Sequence, residues 1–346
     1  MAIKLLDYKR ILIITPDFSL NGANTVLLEL MKLLRGAGRE MTVMASSEGA
    51  LSDRFKEMNV KCILKPTVLG DDIDYDEFDA VFLNTSSVHF YSLRFQNTDK
   101  PIFWWFHESP EQLNAQRDNF PYLALLSSNF HFLGVTPKVV RGLKDLYGVE
   151  AKLLPMAIED VDASDEKDEE DKCLFFIPGA YTYIKGQDVL LQAISKLPPE
   201  FAGKSEFVFA GYKLPGQAEY YEKIKAFADN FSNVRLMDAI SRKEVYEYYQ
   251  KSDCVIAPSR IDSTPTTIVE AMMFGKICIV SSGAGMSEFM HDCVDGFVFP
   301  NDNVDELFKR LLLVISERDN LKSIAAQGRK IYENTFSPSA VLERLD

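Results

Sequence analysis

The stretch DCVIAPSRIDSTPTTIVEA, residues 253–271, joins a strand to a helix through a loop rich in hydroxyl groups. Its first residues, Asp253–Ala257, form a short apolar run of the kind that is buried on both faces of a parallel sheet. The helix that follows, from about Thr266, leaves free backbone N–H groups at its start, where the helix dipole also favours an anion. Asp262 and Glu270 flank this junction, so a phosphate group with sugar hydroxyls beside it would suit the site. A capping aspartate and a surface glutamate on an ordinary strand–turn–helix would produce the same pattern.

Strands and helices alternate along the rest of the chain. In the first half the predicted strands are Arg10–Thr15, Met41–Ala45, Ala80–Leu83, Ile102–Phe106 and Phe132–Val135. In the second half they are Cys173–Ile177, Glu206–Ala210, Val234–Met237, Asp253–Ala257 and Ile277–Ser281. This alternation predicts an α/β fold with two Rossmann-like doubly wound parallel-sheet domains. Ligands of such sheets bind at the carboxyl ends of the strands, so we expect the two domains to face a central cleft.

The composition changes sharply between the two halves. Residues 159–171 are dominated by Asp and Glu, and Lys167 is their only basic residue. Like charges at this density favour a solvated linker, although an exposed helix with one acidic face would have the same composition. We therefore predict an N-terminal Rossmann-like domain over residues 1–160, an acidic linker over 159–171 and a C-terminal Rossmann-like domain over 172–332. The last helix, about 333–346, is a candidate to pack back onto the first domain.

Length, charge and cysteine content exclude several classes of protein. At 346 residues the chain is long for one core, and two domains are the default. The formal net charge of -13 argues against a nucleic-acid-binding protein, whose affinity rests on basic residues. No apolar run reaches the roughly 18 to 20 residues that span a bilayer, and the first residues lack the features of a signal peptide. The cysteines are scattered and odd in number, so neither zinc nor a disulfide framework is indicated and a reducing cytoplasm is favoured.

Other candidate residues follow predicted strands. Lys185 lies in the turn after the first strand of the second half, where its charge can neutralise a diphosphate unless it is an ordinary surface lysine. His107 directly follows a strand of the first half, although a lone histidine is more often structural. Gly22 and Ala23 lie in the first loop of the chain, before a helix that we predict from about Thr25. A glycine-containing turn of this kind lets the backbone approach a ligand closely.

The order of these motifs resembles that of retaining glycosyltransferases of the GT-B fold, specifically the large family GT4. The resemblance spans nearly the whole chain and is most specific in the second half. There it is carried by Lys185–Leu191 (KGQDVLL), by the acid-x7-acid pair of Asp262 and Glu270, and by Gly283–Glu288 (GAGMSE). It implies a first domain that binds the acceptor and a second domain that binds a nucleotide-sugar donor.

The resemblance also implies roles for individual residues. Lys185 would bind the donor pyrophosphate and stabilise the leaving group, and His107 would contact the transferred sugar. Glu270 would bind the nucleotide ribose, and Asp262 would lie near the sugar. These four are the predicted catalytic residues. The predicted donor contacts are Gly22, Ala23, Arg260, Thr266, Thr267, Ile268, Gly285 and Met286, and the predicted acceptor contacts are Asn21 and Asn24.

Three features depart from the family's pattern. Ala180 stands near the position of the family's usual arginine, so half of the cationic clamp is missing, and Arg260 is a candidate to replace it. Asp262 is one methylene shorter than the usual glutamate. The segment Pro155–Glu159 (PMAIE) differs from the family's Pro-Asn-Gly-Val-Asp.

The function implied by the resemblance is the transfer, with retention of configuration, of a sugar from a nucleotide diphosphate sugar, with UDP-sugars favoured. The acceptor would be a glycan, a lipid-linked molecule or a protein, as in cell-surface glycan synthesis. We expect no cofactor and no metal, because positive side chains would replace the cation. We expect a cytoplasmic protein, and weak peripheral association with the inner face of the plasma membrane stays open, as does the oligomeric state. The alternatives are a nucleotide-sugar epimerase-like enzyme and a catalytically inactive partner protein that binds a nucleotide sugar without turnover.

Overall fold

The computed structural model describes residues 2–19, 21–65, 73–96, 98–126, 128–161 and 172–346. The chain divides into two compact units, one of Met1–Glu159 with Thr335–Asp346 and the other of Asp160–Asn334. The C-terminal residues therefore belong to the first unit. Most of the predicted acidic linker, residues 162–171, lies outside the described part of the chain.

The first unit is built on a parallel sheet in the order β3-β2-β1-β4-β5-β6-β7. Its strands are β1 (Arg10–Ile14), β2 (Glu40–Ala45), β3 (Lys61–Leu64), β4 (Ala80–Asn84), β5 (Ile102–Phe106), β6 (Phe130–Gly134) and β7 (Ala151–Leu153). Its first helices are α1 (Gly22–Gly36), α2 (Ser52–Glu57), α3 (His89–Ser92), α4 (Pro110–Ala115) and α5 (Pro137–Tyr147). The strand order reverses between β1 and β4, and ligands of such sheets bind where the loops after those strands diverge.

The second unit is built on a parallel sheet in the order β10-β9-β8-β11-β12-β13. Its strands are β8 (Cys173–Pro178), β9 (Ser205–Ala210), β10 (Val234–Met237), β11 (Cys254–Ala257), β12 (Ile277–Ser281) and β13 (Phe297–Phe299). Its helices are α6 (Gln187–Ile194), α7 (Pro199–Gly203), α8 (Ala218–Ala228), α9 (Arg242–Lys251), α10 (Thr266–Met273), α11 (Val304–Glu317) and α12 (Lys322–Ile331). Here the order reverses between β8 and β11. The final helix, α13 (Pro338–Leu345), belongs to the first unit.

The prediction of two Rossmann-like doubly wound parallel sheets is confirmed. Three strands that the sequence pattern did not reveal, β3, β7 and β13, lie at the edges of their sheets. β3 and β7 are partly exposed, and β13 has only three residues. β3 and β7 each carry a lysine, and β13 is too short for the continuous apolar run that identifies a central strand. The edge strand of the second sheet opposite β13, β10, coincides with the predicted strand Val234–Met237.

The wholly buried strand β5 carries the two tryptophans of the chain. Trp104 Nε1 donates to the carbonyl of Thr85 at 2.8 Å, and Trp105 Nε1 donates to the carbonyl of Leu154 at 2.9 Å. Both indole N–H groups are therefore satisfied inside the core, as buried polar groups must be. These bonds fix the strand whose next residue is His107.

Every helix in the described ranges is too short or too polar to cross a membrane.

Candidate functional site

The second unit brings Lys185 and Asp262 together. Lys185 ends a 3-10 turn after β8, and Asp262 lies in the loop after β11, the strand next to β8. Lys185 Nζ lies 2.5 Å from Asp262 Oδ2, and the two side chains are 32% and 13% exposed. The pair is thus partly shielded from water while it stays open to a ligand.

Gly186 makes this approach possible. Its φ is +67°, and a Cβ on it would lie 2.0 Å from the carbonyl oxygen of Pro258. Only a residue without a side chain allows the turn that carries Lys185 to lie so close to the loop after β11. The two loops are also joined by a hydrogen bond from Arg260 N to the carbonyl of Ile184, 2.8 Å long. The position of Lys185 is therefore set by the backbone as well as by its ion pair.

The start of α10 borders the same small pocket, which Lys185, Asp262 and Thr267 help to line. No side chain caps this helix. The amides of Thr266 and Thr267 have no partner among the described residues, so they are available to an anion. The predicted third amide, that of Ile268, already donates to the carbonyl of Pro265 at 3.1 Å.

Thr264 adds a hydroxyl to this loop. Its Oγ1 is buried and has no hydrogen-bond partner among the described residues. A buried polar atom without a partner costs free energy, and such atoms occur where a ligand completes the site. Sequence analysis does not single out Thr264, although it lies within the stretch 253–271 that joins β11 to α10.

Glu270 lies one turn into α10 and is 3% exposed. Arg242, at the start of α9, reaches it with Nη2 at 2.6 Å from Oε1. Burial raises the pKa of Glu270, and the Arg242 guanidinium and the Tyr249 hydroxyl partly oppose that rise. Sequence analysis missed Arg242, since nothing in its local sequence indicates contact with a residue on another helix.

Arg260 is already held by acidic partners. Its Nη1 and Nη2 donate to the two carboxylate oxygens of Asp188, both at 2.8 Å, and its Nε lies 2.7 Å from Asp302 Oδ1. The guanidinium also lies over the ring of Tyr183, 4.0 Å from its centroid. Burial alone would raise the pKa of Asp188, but its hydrogen bonds from Arg260 and Tyr220 lower it. A diphosphate would have to compete with two carboxylates for this cation. Arg260 is therefore not a free replacement for the arginine that the family usually has near the position of Ala180.

The loop after β12 is tied to the backbone of Asp262. Gly285 N donates to the carbonyl of Asp262 at 2.8 Å. A Cβ on Gly283 would lie 2.2 Å from the carbonyl of Arg260, so this position needs glycine. The side chain of Met286 is fully buried, and any donor contact there would come from its backbone. The predicted donor contacts Gly285 and Met286 therefore belong to a loop that packs against the loop of Asp262 and holds its backbone in place.

In the first unit, His107 follows β5 and is only partly exposed. Its Nε2 lies 2.9 Å from Asn84 Oδ1, at the end of the neighbouring strand β4. Its ring also lies 4.3 Å from that of Trp105, between centroids. Burial lowers the pKa of His107 to about 3, so the imidazole is neutral at neutral pH.

The residues predicted to form the first loop are the start of α1. The helix begins at Gly22 rather than at about Thr25, because Asn21 caps it and accepts a hydrogen bond from Asn24 N at 2.9 Å. Asn21 and Gly22 are exposed, and Ala23 is partly exposed. The side chain of Asn24 is buried inside the unit rather than directed to solvent. Donor and acceptor contacts at these four residues stay predictions, and a contact by Asn24 would be indirect.

Within the described part of the chain, no group of three or more His, Cys, Asp or Glu side chains is arranged to hold a metal ion.

Comparison with curated proteins identifies glycosyltransferases. An uncharacterized glycosyltransferase of Methanocaldococcus jannaschii is 27% identical over 161 residues, which are 46% of this chain and 42% of that protein. The lipopolysaccharide 1,2-N-acetylglucosaminetransferase of Salmonella typhimurium is 24% identical over 184 residues, 51% of this chain and 48% of that protein. The matched region thus spans less than half of each relative.

Comparison with solved structures covers nearly the whole chain. Anabaena Alr3699/HepE, solved in complex with UDP and glucose, has a TM-score of 0.79 at 16% identity, over 96% of this chain and 97% of that chain. WaaG, a glycosyltransferase involved in lipopolysaccharide biosynthesis, has a TM-score of 0.69 at 15% identity, over 97% of this chain and 98% of that chain. At these identities the similarity shows the fold alone, and that fold is GT-B.

A family model carries the assignment further. The model of the glycosyl transferases group 1 family matches residues 158–331, a region that includes Lys185, Asp262, Glu270 and the helix α10 between the two acids. Because this match covers half of the chain, the protein belongs to the glycosyl transferases group 1 family.

Proposed function

We propose that this protein is a retaining hexosyltransferase of family GT4 that moves a sugar from a UDP-sugar to a glycan, lipid-linked or protein acceptor in cell-surface glycan synthesis. The observation that carries the proposal is the Lys185–Asp262 pair beside the uncapped start of α10. A cation and free amides suit a diphosphate, and carboxylates suit sugar hydroxyls. The UDP bound in Alr3699/HepE and the lipopolysaccharide transfer named for the Salmonella relative support the choice of donor and acceptor.

In the proposed reaction, the bond between the anomeric carbon and the diphosphate oxygen breaks. The acceptor hydroxyl oxygen forms the new bond to the anomeric carbon on the same face, and its proton passes to the departing phosphate oxygen. Lys185 and the amides of Thr266 and Thr267 would stabilise the negative charge that develops on the leaving group. Catalysis would rest on this electrostatic stabilisation and on positioning, without a protein nucleophile.

The other predicted catalytic residues would bind the donor. Asp262 would accept hydrogen bonds from the transferred sugar once the diphosphate attracts Lys185 away from it. Glu270 would accept hydrogen bonds from the ribose, in competition with Arg242. His107 would contact the transferred sugar. We propose that no metal ion is needed and that the protein acts in the cytoplasm.

Calorimetric titration of wild-type protein with UDP, GDP and ADP tests the donor site. We expect one diphosphate, UDP, to bind, and Lys185→Ala to weaken its binding about tenfold or more, because a charge-assisted hydrogen bond contributes about 1.5–3 kcal/mol. Lys196→Ala is the matched control, since Lys196 also pairs with an aspartate of the second unit, Asp305, away from the pocket. The proposal fails if no diphosphate binds, or if both variants bind UDP as the wild type does.

One observation favours the inactive alternative. Arg260 is held by Asp188 and Asp302, and Ala180 carries no charge, so Lys185 is the one cation that the structure places in this pocket among its described lining residues. On this alternative, a protein with half of the clamp binds a nucleotide sugar without turnover. Release of UDP from UDP-sugars with and without extracts that contain acceptors would separate the two candidates, because the binding protein would release none in either condition.

A further inference from the structure

Three buried polar side chains lead from β1 to β5 through the core of the first unit. Thr15 and Asn24 are each 1% exposed and Asn84 is fully buried. Such groups are costly in an apolar sheet unless every donor and acceptor is matched. Here they form an unbroken series of hydrogen bonds that ends at His107, and we name the three residues the polar relay.

The direction of the polar relay is set at Asn24. Its Nδ2 faces three oxygen atoms, the carbonyl of Asp17 at 3.1 Å, Asp17 Oδ1 at 3.1 Å and the carbonyl of Ser19 at 2.9 Å. These oxygens can only accept, so the NH2 group of Asn24 must point to them. Its Oδ1 then faces the other way, where Thr15 Oγ1 donates to it at 2.7 Å.

The remaining two bonds follow from the first. Because the Thr15 hydroxyl has given its proton to Asn24, its oxygen can only accept, and Asn84 Nδ2 donates to it at 3.2 Å. Asn84 Oδ1 therefore faces His107 and can only accept. The proton in the 2.9 Å contact must then reside on His107 Nε2, which leaves Nδ1 with a lone pair.

The backbone of His107 is fixed as firmly as its ring. The carboxylate of Glu108 accepts hydrogen bonds from His107 N at 3.1 Å and from Ser86 N at 2.9 Å. It thereby joins the loop after β5 to the loop after β4. The ring of His107 is thus held by the last residue of β4, and its backbone is held by Glu108, which is itself bonded to the loop after β4.

Strained backbone at the end of β4 points to the same place. Thr85, between Asn84 and Ser86, has a φ of +74°, which is an outlier for a β-branched residue. It is held there by a hydrogen bond from its N–H to the carbonyl of Trp105, 2.9 Å long, and by the bond that its own carbonyl accepts from Trp104. Strain of this kind persists only where the surroundings over-determine it, and it is concentrated at functional sites.

We propose that Asn84, which Thr15 and Asn24 orient, is a positioning residue for His107. It holds His107 as the neutral tautomer protonated at Nε2, so that Nδ1 accepts a hydrogen bond from a hydroxyl of a bound sugar. This inference rests on the proposed function, which supplies the sugar. Nδ1 has no partner among the described residues, and His107 is partly exposed, so the acceptor position is open. A residue in this state cannot act as a cation at neutral pH and serves as a hydrogen-bond acceptor.

Nitrogen NMR of the ligand-free protein tests the relay directly. The chain has four histidines, so labelling of histidine alone with 15N gives four imidazole systems, and His107→Gln assigns the one in question. We expect His107 to be protonated at Nε2 and to keep the same spectrum from pH 8 to pH 5. A proton on Nδ1, or an imidazolium at pH 6, would overturn the inference.

Two substitutions test which residues set the tautomer. Asn84→Asp still accepts from Nε2 but adds a negative charge, so His107 should gain its second proton at a higher pH than in the wild type. Thr15→Val removes the nearer of the two oxygens to which Asn84 Nδ2 donates and leaves only the long contact to Asn24 Oδ1, at 3.4 Å, so a second set of His107 signals should appear. Thr42→Val is the matched control, because Thr42 is buried on the adjacent strand but outside the polar relay, and it should leave the spectrum unchanged. If Asn84→Asp does not fold, Thr15→Val alone decides, and an unchanged spectrum in it contradicts the relay.

Titration of the same samples with UDP separates this inference from the proposed function. If UDP binds but His107 carries its proton on Nδ1, the relay is wrong and the donor site stands. If no nucleotide diphosphate binds, the proposed function fails, and the sugar hydroxyl that we assign to Nδ1 fails with it.

Discussion

The side chains of Lys185 and Asp262 are paired with each other, although the proposed function gives them different partners. The carboxylate holds the cation in place before a ligand arrives, at a position that the pocket shares with the start of α10. A diphosphate carries more negative charge than one carboxylate and would attract the Lys185 ammonium group more strongly. The flexible side chain of Lys185 allows the ammonium group to move from Asp262 to the diphosphate. Asp262 would then be free for sugar hydroxyls, so donor binding exchanges one ion pair for another.

The ion pair between Arg242 and Glu270 should make the stability of the protein depend on pH. Arg242→Ala leaves the buried Glu270 carboxylate without its cation, which should raise the pKa of Glu270 further. A carboxyl whose pKa is higher in the folded than in the unfolded state binds more protons when folded, so the protein loses stability as the pH rises above about 4.3. We expect the variant to lose about 1–3 kcal/mol relative to wild type at pH 8, towards the lower value because Arg242 is largely exposed, and less at pH 5.

Urea denaturation at both pH values measures this difference. Arg235→Ala is the control, because Arg235 forms a more exposed ion pair with Glu206 in the same unit and should change stability little at either pH. An equal loss at pH 5 and pH 8 for Arg242→Ala would mean that the charge of Glu270 does not depend on Arg242.

Among the structural elements, the turn between β8 and α6 places the predicted cation. Gly186→Ala adds a Cβ that would lie 2.0 Å from the carbonyl of Pro258. Gly275→Ala is a matched control, since Gly275 has a similar φ of +62° but nothing within 4 Å of its Cβ position. We expect Gly275→Ala to cost about 1–2 kcal/mol from the left-handed backbone alone, and Gly186→Ala to cost more and to weaken UDP binding. Thermal unfolding and UDP titration check this, and equal effects of the two changes on binding would contradict it.

The elements show which parts of the fold the sequence could predict. Central strands such as β1, β5 and β8 are covered on both faces and read as continuous apolar runs. The edge strands β3, β7 and β13 lack a run of that length, so they could not be predicted, whereas the edge strand β10 matches the predicted strand Val234–Met237. Asn21 is of a residue type that favours the N-cap position, so the early start of α1 is a feature that local sequence can indicate.

The candidate site also contains residues that the sequence could predict and residues that it could not. Lys185, Asp262 and Glu270 follow strands or lie on a helix start, so local pattern was enough to single them out. Arg242 and Asn84 act through residues that are distant in sequence, and their roles depend on which helices and strands become neighbours. Local sequence could not indicate either contact.

At the scale of the whole molecule, the chain returns to the first unit at its end. Phe336, Val341 and Leu345 are fully buried, and Ile3 N donates to the carbonyl of Arg344 at 2.9 Å. The first unit is therefore completed by residues 335–346, which follow the whole second unit in sequence.

Truncation after Asn334 should destabilise the first unit. Burial of each apolar side chain contributes about 1.5–3 kcal/mol to the free energy of unfolding. The contribution of three such side chains is a large part of the stability of a domain of this size. We expect a lower unfolding temperature and exposed apolar surface, measured by calorimetry and dye binding. A truncated protein that unfolds at the same temperature as the full chain would show that α13 contributes little to the first unit.

We predict that a nucleotide diphosphate binds at the carboxyl ends of β8 and β11 in the second unit, between Lys185 and the start of α10. Hydrogen–deuterium exchange with and without saturating UDP tests this most directly, because it locates the ligand as well as detecting it. We predict slower exchange in peptides that cover residues 183–188 and 262–270, and a smaller effect in Lys185→Ala. Protection confined to other segments, or no protection with UDP, would contradict the claim.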